Sequence, residues 1–592
     1  MCRFWHYCGP LHGAEAVLDI VSRSEMTTKP DTLIRHLVHR ATERPEALYA
    51  RWIFPDREPV EMTYRELSDR TRQFATAYRE AGVEKGDVVL VVLPHHEDLM
   101  PAYLGAIWLG GIPSFLPSLT AKLDPTRYFD NLAGLMERTG PRAIMTYPQL
   151  RDELQSVSAP TAKPAILVSE EVDAAPMQGP PIDHEAEDIA LIQYSSGSTG
   201  MQKGAALSHR AVLAEIAGVT EFFELQEEDS FLTWVPLYHD WGLVCVALHA
   251  IPLGTHFTLI DPVHWVMQPA VACEAIHRYR PTVYYHPNFA FNFMTRRVRD
   301  EEMEGLDLSS VRICSNGAEP CFFDSHEMFA DRFEKWGFRR ESLAIVYGMA
   351  EVTNSVFAAG HKEPIQVDPI DRTLLQGEHR AAPVDDDHPQ VIRMLGVGRP
   401  LAGTRFRIVD DNYKEVPERH VGEVEIQSRA AFHGYYRNPE ATAKADDNGW
   451  YVTGDLGYRV GNILFITGRK SDLIILGGVN IYPQDVENII SEHPDVVAGR
   501  VAAIGVDDPE LGTQRLIVIV ESRSEDPETL REIAEFSRFQ VQIRLGVDID
   551  EMHHAPYRWL IKTSSGKIAR IPNYQRLSEL TAANREEVYG TS

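Results

Sequence analysis

The stretch "YSSGSTGMQKG", Tyr194 to Gly204, decides how this chain is read. It packs three glycines, three serines, a threonine and a lysine into eleven residues. The preceding "EDIALIQ" reads as a buried strand running into it, and the following "AALSHRAVLAEIAGV" as a helix. A Walker loop needs GxxxxGK followed by Ser or Thr, and the GxxGxxKG spacing here excludes that nucleotide fold. "GVGRPLAG", from Gly396, misses the dinucleotide fingerprint as well. Phosphate chemistry remains open to such a loop. Glycines let successive backbone N–H groups turn toward one anion. Ser195, Ser196, Ser198 and Thr199 add hydroxyl donors around Gly197 and Gly200, and Lys203 adds a mobile positive charge. A plain Gly/Ser linker is the alternative, and the close flanking strand and helix argue against it.

The bulk numbers set limits. At 592 residues the chain is too long for one small domain, and 44% hydrophobic residues supply ample core. Lys and Arg number 58 against 86 Asp and Glu, a net charge of −28. That balance argues against nucleic acid or an anionic membrane as partner. A polyanionic ligand must therefore meet a local cluster of donors. The cysteines at 2, 8, 245, 273, 314 and 321 form no CxxC pair and no zinc spacing, and read as reduced thiols. No apolar run is long enough to span a bilayer, and the opening residues lack a signal-peptide core. The expectation is a cytoplasmic protein, with residues 1–26 as an N-terminal extension and Met26 as an alternative start.

Along the chain, Thr63 and Glu66 make a capping box for a helix that stops at Gly82. "DVVLVVLP", "RAIMTY", "IALIQY", "PTVYYHP", "VRICSNG" and "LAIVYG" are continuous apolar runs with helical segments between most of them. This alternation predicts a layered α/β architecture with parallel strands. From about Arg405 the pattern alternates residue by residue, with a Gly461-Asn462 turn, predicting antiparallel strands. Beyond Gly468 the order is strand, glycine turn, helix, two strands and a helix, a small α+β domain. The expected division is 27–469 for a large α/β domain with an antiparallel β subdomain, and 470–592 for a small mobile one. The polar stretch His361 to Gln390 is too long for an ordinary loop and reads as an insertion or lid.

Four further motifs follow the loop in order: "YGMAE" (347–351), "YVTGDLG" (451–457), "GRKSD" (468–472) and "KTSSGKI" (562–568). Together they resemble the adenylate-forming superfamily of acyl-CoA synthetases, peptide-synthetase adenylation domains, luciferases and fatty acyl-AMP ligases. One such motif says little; five in order, over roughly Asp31 to Leu577, say much. The resemblance implies that the loop and Lys203 hold the β- and γ-phosphates of ATP. It implies that Tyr347, with Gly348 and Met349, stacks on adenine beside "NGAEP", that is Asn316, Gly317, Ala318 and Glu319. Glu351 would help hold Mg²⁺, Asp455 the ribose hydroxyls, and Arg469 the ribose or a phosphate. His239 in "PLYHDWG" would gate the acid's carboxylate, and Lys567 would reach that carboxylate and the α-phosphate. The roles suit the groups: two anions meet in the transition state, so cations and oriented donors are needed.

"WVPLYHDWGL", "PNFAFNFMTRRV", "GLDLSSVRICSNGAEP" and "NIYPQDVE" most resemble fatty acyl-AMP ligases, as does the polar insertion after Glu351. The implied activity is conversion of a hydrophobic carboxylic acid to acyl-AMP, for transfer to the phosphopantetheine thiol of an acyl carrier protein. Two alternatives stand beside it: a complete ligase that transfers to free CoA, and a non-adenylating module that binds acyl-adenylate. The position two residues after Arg469 is Ser471, where the family commonly has Asp or Lys; rotation of the small domain is expected about Ser471–Asp472. Gly477 and Gly478 would then leave room for a pantetheine arm. Trp241, Tyr284, Phe289, Phe291 and Phe293 either line an acid tunnel or fill the core. His553 and His554 belong to no motif and read as surface residues.

Overall fold

A computed structural model describes residues 31–120, 125–157, 163–194, 203–476, 479–508, 513–563 and 567–589. The apolar runs lie at its centre. Val88–Val91, buried at every position, pairs in parallel with Ile112–Phe115 and Ala143–Thr146, and the last of these with Ala165–Val168. A second, mixed sheet contains 15 strands among the described residues. In its parallel part Leu48–Ile53, His256–Ile260, Ser230–Thr233, Val283–Tyr285, Ile313–Asn316 and Leu343–Gly348 lie side by side. Residues buried on both faces suit strands sandwiched between helices. The capping box forms as expected: the Thr63 side chain accepts from the Glu66 N–H, and Glu66 accepts from the Thr63 N–H at 2.7 Å. The helix Tyr64–Glu80 buries Leu67, Phe74 and Tyr78, and Gly82 follows with φ +79°.

The antiparallel part begins earlier than the sequence texture says. Ser355–Gly360 already runs antiparallel to Leu343–Gly348. The sheet continues through Val391–Pro400, Ile463–Arg469, Trp450–Val460, Gly422–Ser428 and Thr404–Val409. Ser355–Gly360 is buried throughout, so it carries no alternation by which an antiparallel strand could be recognised. The polar insertion has elements of its own. It holds the strand Val367–Asp371 and the helix Arg372–Glu378, and the strand Val391–Pro400 begins directly after it. Asp371 caps the helix by accepting from the Leu374 N–H at 2.9 Å.

The reading of "AALSHRAVLAEIAGV" as all helix is corrected. Gly204–Ser208 is a strand, buried at every position and antiparallel to Ile189–Tyr194. Its other edge meets the chain at Tyr435, where the Ala206 N–H donates to the Gly434 carbonyl at 3.0 Å. With both edges paired, tertiary packing overrides alanine's helical preference. The helix starts at His209, where Ser208 accepts from the Ala211 N–H at 3.1 Å. Tyr194 and Gly204, on either side of the glycine-rich segment, are therefore paired strand residues, and the helix begins only at His209.

The C-terminal elements have their own core of Val486, Ile490, Val501, Leu516, Val518, Val520, Ile533 and Val541. Val496–Asp508 runs antiparallel to Thr513–Ser522, which is parallel to Glu551–Pro556. That third strand was not expected. It carries His553 and His554, so these are half-buried strand residues and not free surface ones. His553 Nε2 lies 3.1 Å from Glu551 Oε2, and burial pushes the His554 imidazole down. Among the described residues no helix is long and apolar enough to cross a membrane.

Candidate active site

The site lies where the parallel strands end and the antiparallel strands begin. Tyr347 and Glu351 flank the end of Leu343–Gly348, and Asp455 and Arg469 face each other in register on neighbouring antiparallel strands. Asp455, 6% exposed, accepts from the Tyr347 hydroxyl at 2.7 Å and from Arg469 Nε at 2.9 Å. The carboxylate beside it raises the Arg469 guanidinium further, and burial raises the Tyr347 phenol. Three residues far apart in sequence thus form one acceptor-centred unit.

A second unit surrounds Glu351, which sits on the short turn Ala350–Val352. Its Oε1 accepts from the Tyr435 hydroxyl at 2.7 Å, and Lys203 Nζ lies 5.1 Å from the Tyr435 ring centre. Burial pushes the Glu351 carboxyl up; the Tyr435 hydroxyl and Arg469 pull it back down. Tyr435 was not singled out in the sequence, since no motif contains it. Its role follows from its pairing with Ala205 beside the loop.

Asn316–Glu319 forms the wall opposite. Asn316 is fully buried and donates to Asn288 Oδ1 and to His326 Nε2, each at 2.9 Å. A Cβ on Gly317 would lie 2.8 Å from the Val346 carbonyl oxygen, so the two strands pack too closely there for any other residue. Ala318 takes φ +64°, a strained value for a non-glycine residue, and turns the chain toward Glu319. Glu319 Oε1 accepts from the Phe289 N–H at 2.5 Å. Gly348 is tighter still: a Cβ there would fall 1.6 Å from the Asn354 carbonyl oxygen. Met349 follows in extended backbone and packs, half-buried, on the core.

His239 caps a short turn, with Nδ1 2.6 Å from Asp240 Oδ1. The Trp241 N–H donates to His239 Nδ1 at 3.2 Å and to Asp240 Oδ1 at 2.8 Å. Burial works to raise the Asp240 carboxyl; His239, the Trp241 N–H and Lys567 outweigh it and hold it low. Lys567 comes from the C-terminal elements. It keeps solvent access, yet dense surroundings and then Arg469 push its ammonium down, while Glu319, Asp240 and Asp455 act the other way. All four groups that act on Lys567 belong to the large part of the chain. Lys562 shares this setting: burial, then Arg500, lowers it to about 8, with Glu319 opposing. Asp240 and Lys562 were missed by the sequence reading although each stands inside a quoted motif.

The structure therefore brings Lys203, His239, Asn316, Gly317, Ala318, Glu319, Tyr347, Gly348, Met349, Glu351, Asp455, Arg469 and Lys567 together. Ser195, Ser196, Gly197, Ser198, Thr199 and Gly200 lie outside the described residues, as do Gly477 and Gly478. Of the aromatics, Tyr284 and Phe291 are buried in the core, and Trp241, 2% exposed, stacks on Tyr285 with ring centres 5.6 Å apart. Phe289 is 43% exposed beside Glu319. Cys245, Cys273 and Cys314 are buried free thiols and Cys321 is half-buried. Among the described residues no cluster of three or more His, Cys, Asp or Glu could hold a metal.

A family model for AMP-binding enzymes matches residues 37–436. The chain belongs to the AMP-binding enzyme family. It is 30% identical over 540 residues to the medium-chain-fatty-acid–[acyl-carrier-protein] ligase JamA of Moorena producens, covering 87% of this chain and 89% of that one. It is 27% identical over 594 residues to the long-chain-fatty-acid–AMP ligase FadD32 of Mycolicibacterium smegmatis, covering 91% and 93%. A solved structure from a study of fatty acyl-adenylate ligases of E. coli and L. pneumophila superposes with a TM-score of 0.86 at 26% identity. It covers 93% of this chain and 98% of its own. The layered α/β fold with an antiparallel part and a smaller C-terminal unit is that of adenylate-forming enzymes.

Proposed function

We propose that this family member activates a hydrophobic carboxylic acid with ATP and passes the acyl group to the phosphopantetheine thiol of an acyl carrier protein. The acid's carboxylate oxygen bonds to the α-phosphorus, the α–β anhydride bond breaks, and pyrophosphate leaves. In the second half the thiol sulfur bonds to the acyl carbon, the bond from that carbon to the phosphate oxygen breaks, AMP leaves and the thiol proton passes to solvent. The observation that carries the first half is Lys567 set among Asp240, Glu319, Asp455 and Arg469. Its cation comes from the C-terminal elements to the point where two anions must meet.

The other roles follow from the geometry. Asp455 is an acceptor-only carboxylate, suited to a ribose diol, and Tyr347 and Arg469 fix its orientation. Lys203 and the segment before it would hold the departing pyrophosphate. The donor set fits Mg²⁺: this ion takes one or two carboxylates and fills the rest of its shell with water and phosphate oxygens. Glu351, with Oε1 fixed by Tyr435, is one such carboxylate. Bound there, Mg²⁺ would neutralise charge on the phosphates. His239, oriented by Asp240, would guard the acid's carboxylate.

The domain reading joins these roles: 27–469 as the large domain and 470–592 as the small one, turning about Ser471–Asp472 between half-reactions. The insertion touches the small unit, with Arg372 Nη1 3.2 Å from Asp485 Oδ2 and the Asn480 amide 3.1 Å from His379 Nε2. These contacts restrain the swing, which supports a carrier-bound thiol over free CoA.

The test is mass spectrometry of the purified enzyme with ATP, Mg²⁺ and a panel of hydrophobic acids, with and without CoA or a loaded carrier. Acyl-AMP that persists with CoA and is consumed by the carrier is the expected result. Conversion to acyl-CoA would overturn the choice of acceptor. Lys567→Ala should cut acyl-AMP formation by at least about a hundredfold with the fold intact; unchanged formation removes the role given to that lysine.

A further inference from the structure

Behind the site lies a buried polar cluster that none of the roles above uses. Glu215 stands on the helix His209–Phe223 and is 2% exposed. Its Oε1 accepts from the Ser355 N–H at 3.2 Å and lies 3.3 Å from Cys245 Sγ. Cys245 Sγ is also 2.9 Å from Asn354 Oδ1, which accepts from the Ser355 hydroxyl at 2.6 Å. Glu215 Oε2 is buried with no hydrogen-bond partner.

The cluster joins three segments that each lead to the site. Glu215 is on the helix that follows the loop and Lys203. Cys245 is in the π-helical turn Leu243–Leu248, directly after His239–Gly242. Such turns recur where a helix has been altered for a task. Asn354 and Ser355 follow Glu351 by three and four residues. The chain between them passes through Thr353, whose φ of +72° is strained for a β-branched residue and is held by the Thr353 hydroxyl donating to the Ala430 carbonyl at 2.6 Å.

Proton counting points to a protonated Glu215. The thiol has one proton and two acceptor-only contacts, Asn354 Oδ1 and Glu215 Oε1, beside the Ser355 hydroxyl at 3.8 Å, which can itself donate. With that proton on the shorter contact, to Asn354 Oδ1, a proton on Glu215 is what keeps its oxygen attractive to the sulfur. No cation hydrogen-bonds to Glu215 among the described residues. The titratable groups facing it are Cys245, Asp240 and, on the strand Val283–Tyr285, Tyr285. All three are neutral or negative, so a charged carboxylate would be uncompensated. Burial pushes the Glu215 carboxyl up to about 8, and burial followed by Glu215 raises the Cys245 thiol.

We propose that Glu215 is a positioning residue for adenylation: in its protonated form it locks the turn after Glu351 to the two neighbouring segments and so sets where Glu351 presents its carboxylate. The role rests on the adenylation reading above. Ionisation would place a bare charge in the core, loosen the cluster and misplace Glu351. Glutamine keeps the shape, offers a donor and an acceptor as the protonated acid does, and cannot ionise.

The experiment compares wild type with Glu215→Gln by pyrophosphate release between about pH 7 and about pH 9, reading the ratio of the two rates. Titration shared by both proteins, such as that of Lys562, cancels in the ratio. The variant should stay within about threefold of wild type at the lower pH, and the ratio should rise about tenfold at the higher one, as wild type ionises. A flat ratio overturns the proposal. Infrared spectroscopy gives a readout independent of activity: near neutral pH wild type should show the carbonyl band of a protonated carboxyl that Glu215→Gln lacks. Absence of that difference also overturns it. A wild type that shows the band but releases no pyrophosphate with any acid overturns the adenylation reading, and with it the catalytic role, while the protonation stands.

Discussion

Replacing Arg570 with methionine should weaken the small unit and the Lys567 segment together. Arg570 begins the helix Arg570–Tyr589, three residues after Lys567. Its Nη2 donates to both Glu487 oxygens at 2.8 and 2.9 Å, and its Nη1 donates to Asp472 Oδ2 at 2.9 Å. The three side chains are 17%, 15% and 17% exposed. Removing one partner of a buried pair costs about 3–5 kcal/mol, and residual exposure here argues for the lower end, about 3 kcal/mol. Read by amide hydrogen exchange in Thr513–Ser522, that loss is about a hundredfold faster exchange. The deficit should depend on pH. Burial raises the Glu487 carboxyl above its ordinary 4.5 and Arg570 opposes the rise. A carboxyl raised in the folded state adds stability below its unfolded value and loses it as pH climbs through its folded value. Without Arg570 the rise is larger, so the variant's deficit should shrink on acidification from neutral toward about pH 5. Adenylation should fall as well, because Arg570 anchors the segment that presents Lys567. Exchange within about threefold of wild type, or a deficit unchanged by pH, would refute the reasoning.

Two further outcomes are specific. Gly348→Ala places a Cβ 1.6 Å from the Asn354 carbonyl oxygen, forcing two paired strands apart beside Glu351. It should cost more than about 3 kcal/mol and abolish acyl-AMP formation, so a variant melting with wild type would contradict the packing described. Asp455→Asn removes the anion that pairs with Arg469 at 2.9 Å while keeping the size. The KM for ATP should rise about tenfold to a hundredfold, in line with a charged hydrogen bond, and steady-state kinetics with an unchanged KM would remove Asp455 from the nucleotide site.

Much of the fold was legible because its signals are local. The run "DVVLVVLP" can only be a strand covered on both faces, and Thr63 with Glu66 marks a helix start wherever the two stand three apart. The errors arose where a neighbour distant in sequence decides. "GAALS" is a strand because Ile189–Tyr194 flanks one edge and the Tyr435 segment the other, and nothing within the five residues announces either. The strand of His553 and His554 exists because Thr513–Ser522 offers it an edge. The polar insertion hid a strand and a helix because its elements are short and half-exposed, without the apolar stripe that would reveal them.

For the site, the residue types and their order came from the sequence, since a loop of glycines and hydroxyls, an acid after "YGMA" and a lysine after "TSSG" are local chemistry. Contact geometry did not. Tyr435 stands 84 residues from the Glu351 it hydrogen-bonds, Tyr347 stands 108 from Asp455, and Glu215 stands 140 from Ser355. A side chain's protonation and orientation depend on what burial removes and on which distant groups replace water. The sequence by itself determined that this chain folds as a layered α/β enzyme with the parts for activating an acid. The tertiary structure decided which carboxylates are fixed by tyrosines, which one lies buried in the core, and which cations face the others. Those depend on strand pairing and close packing across the whole chain.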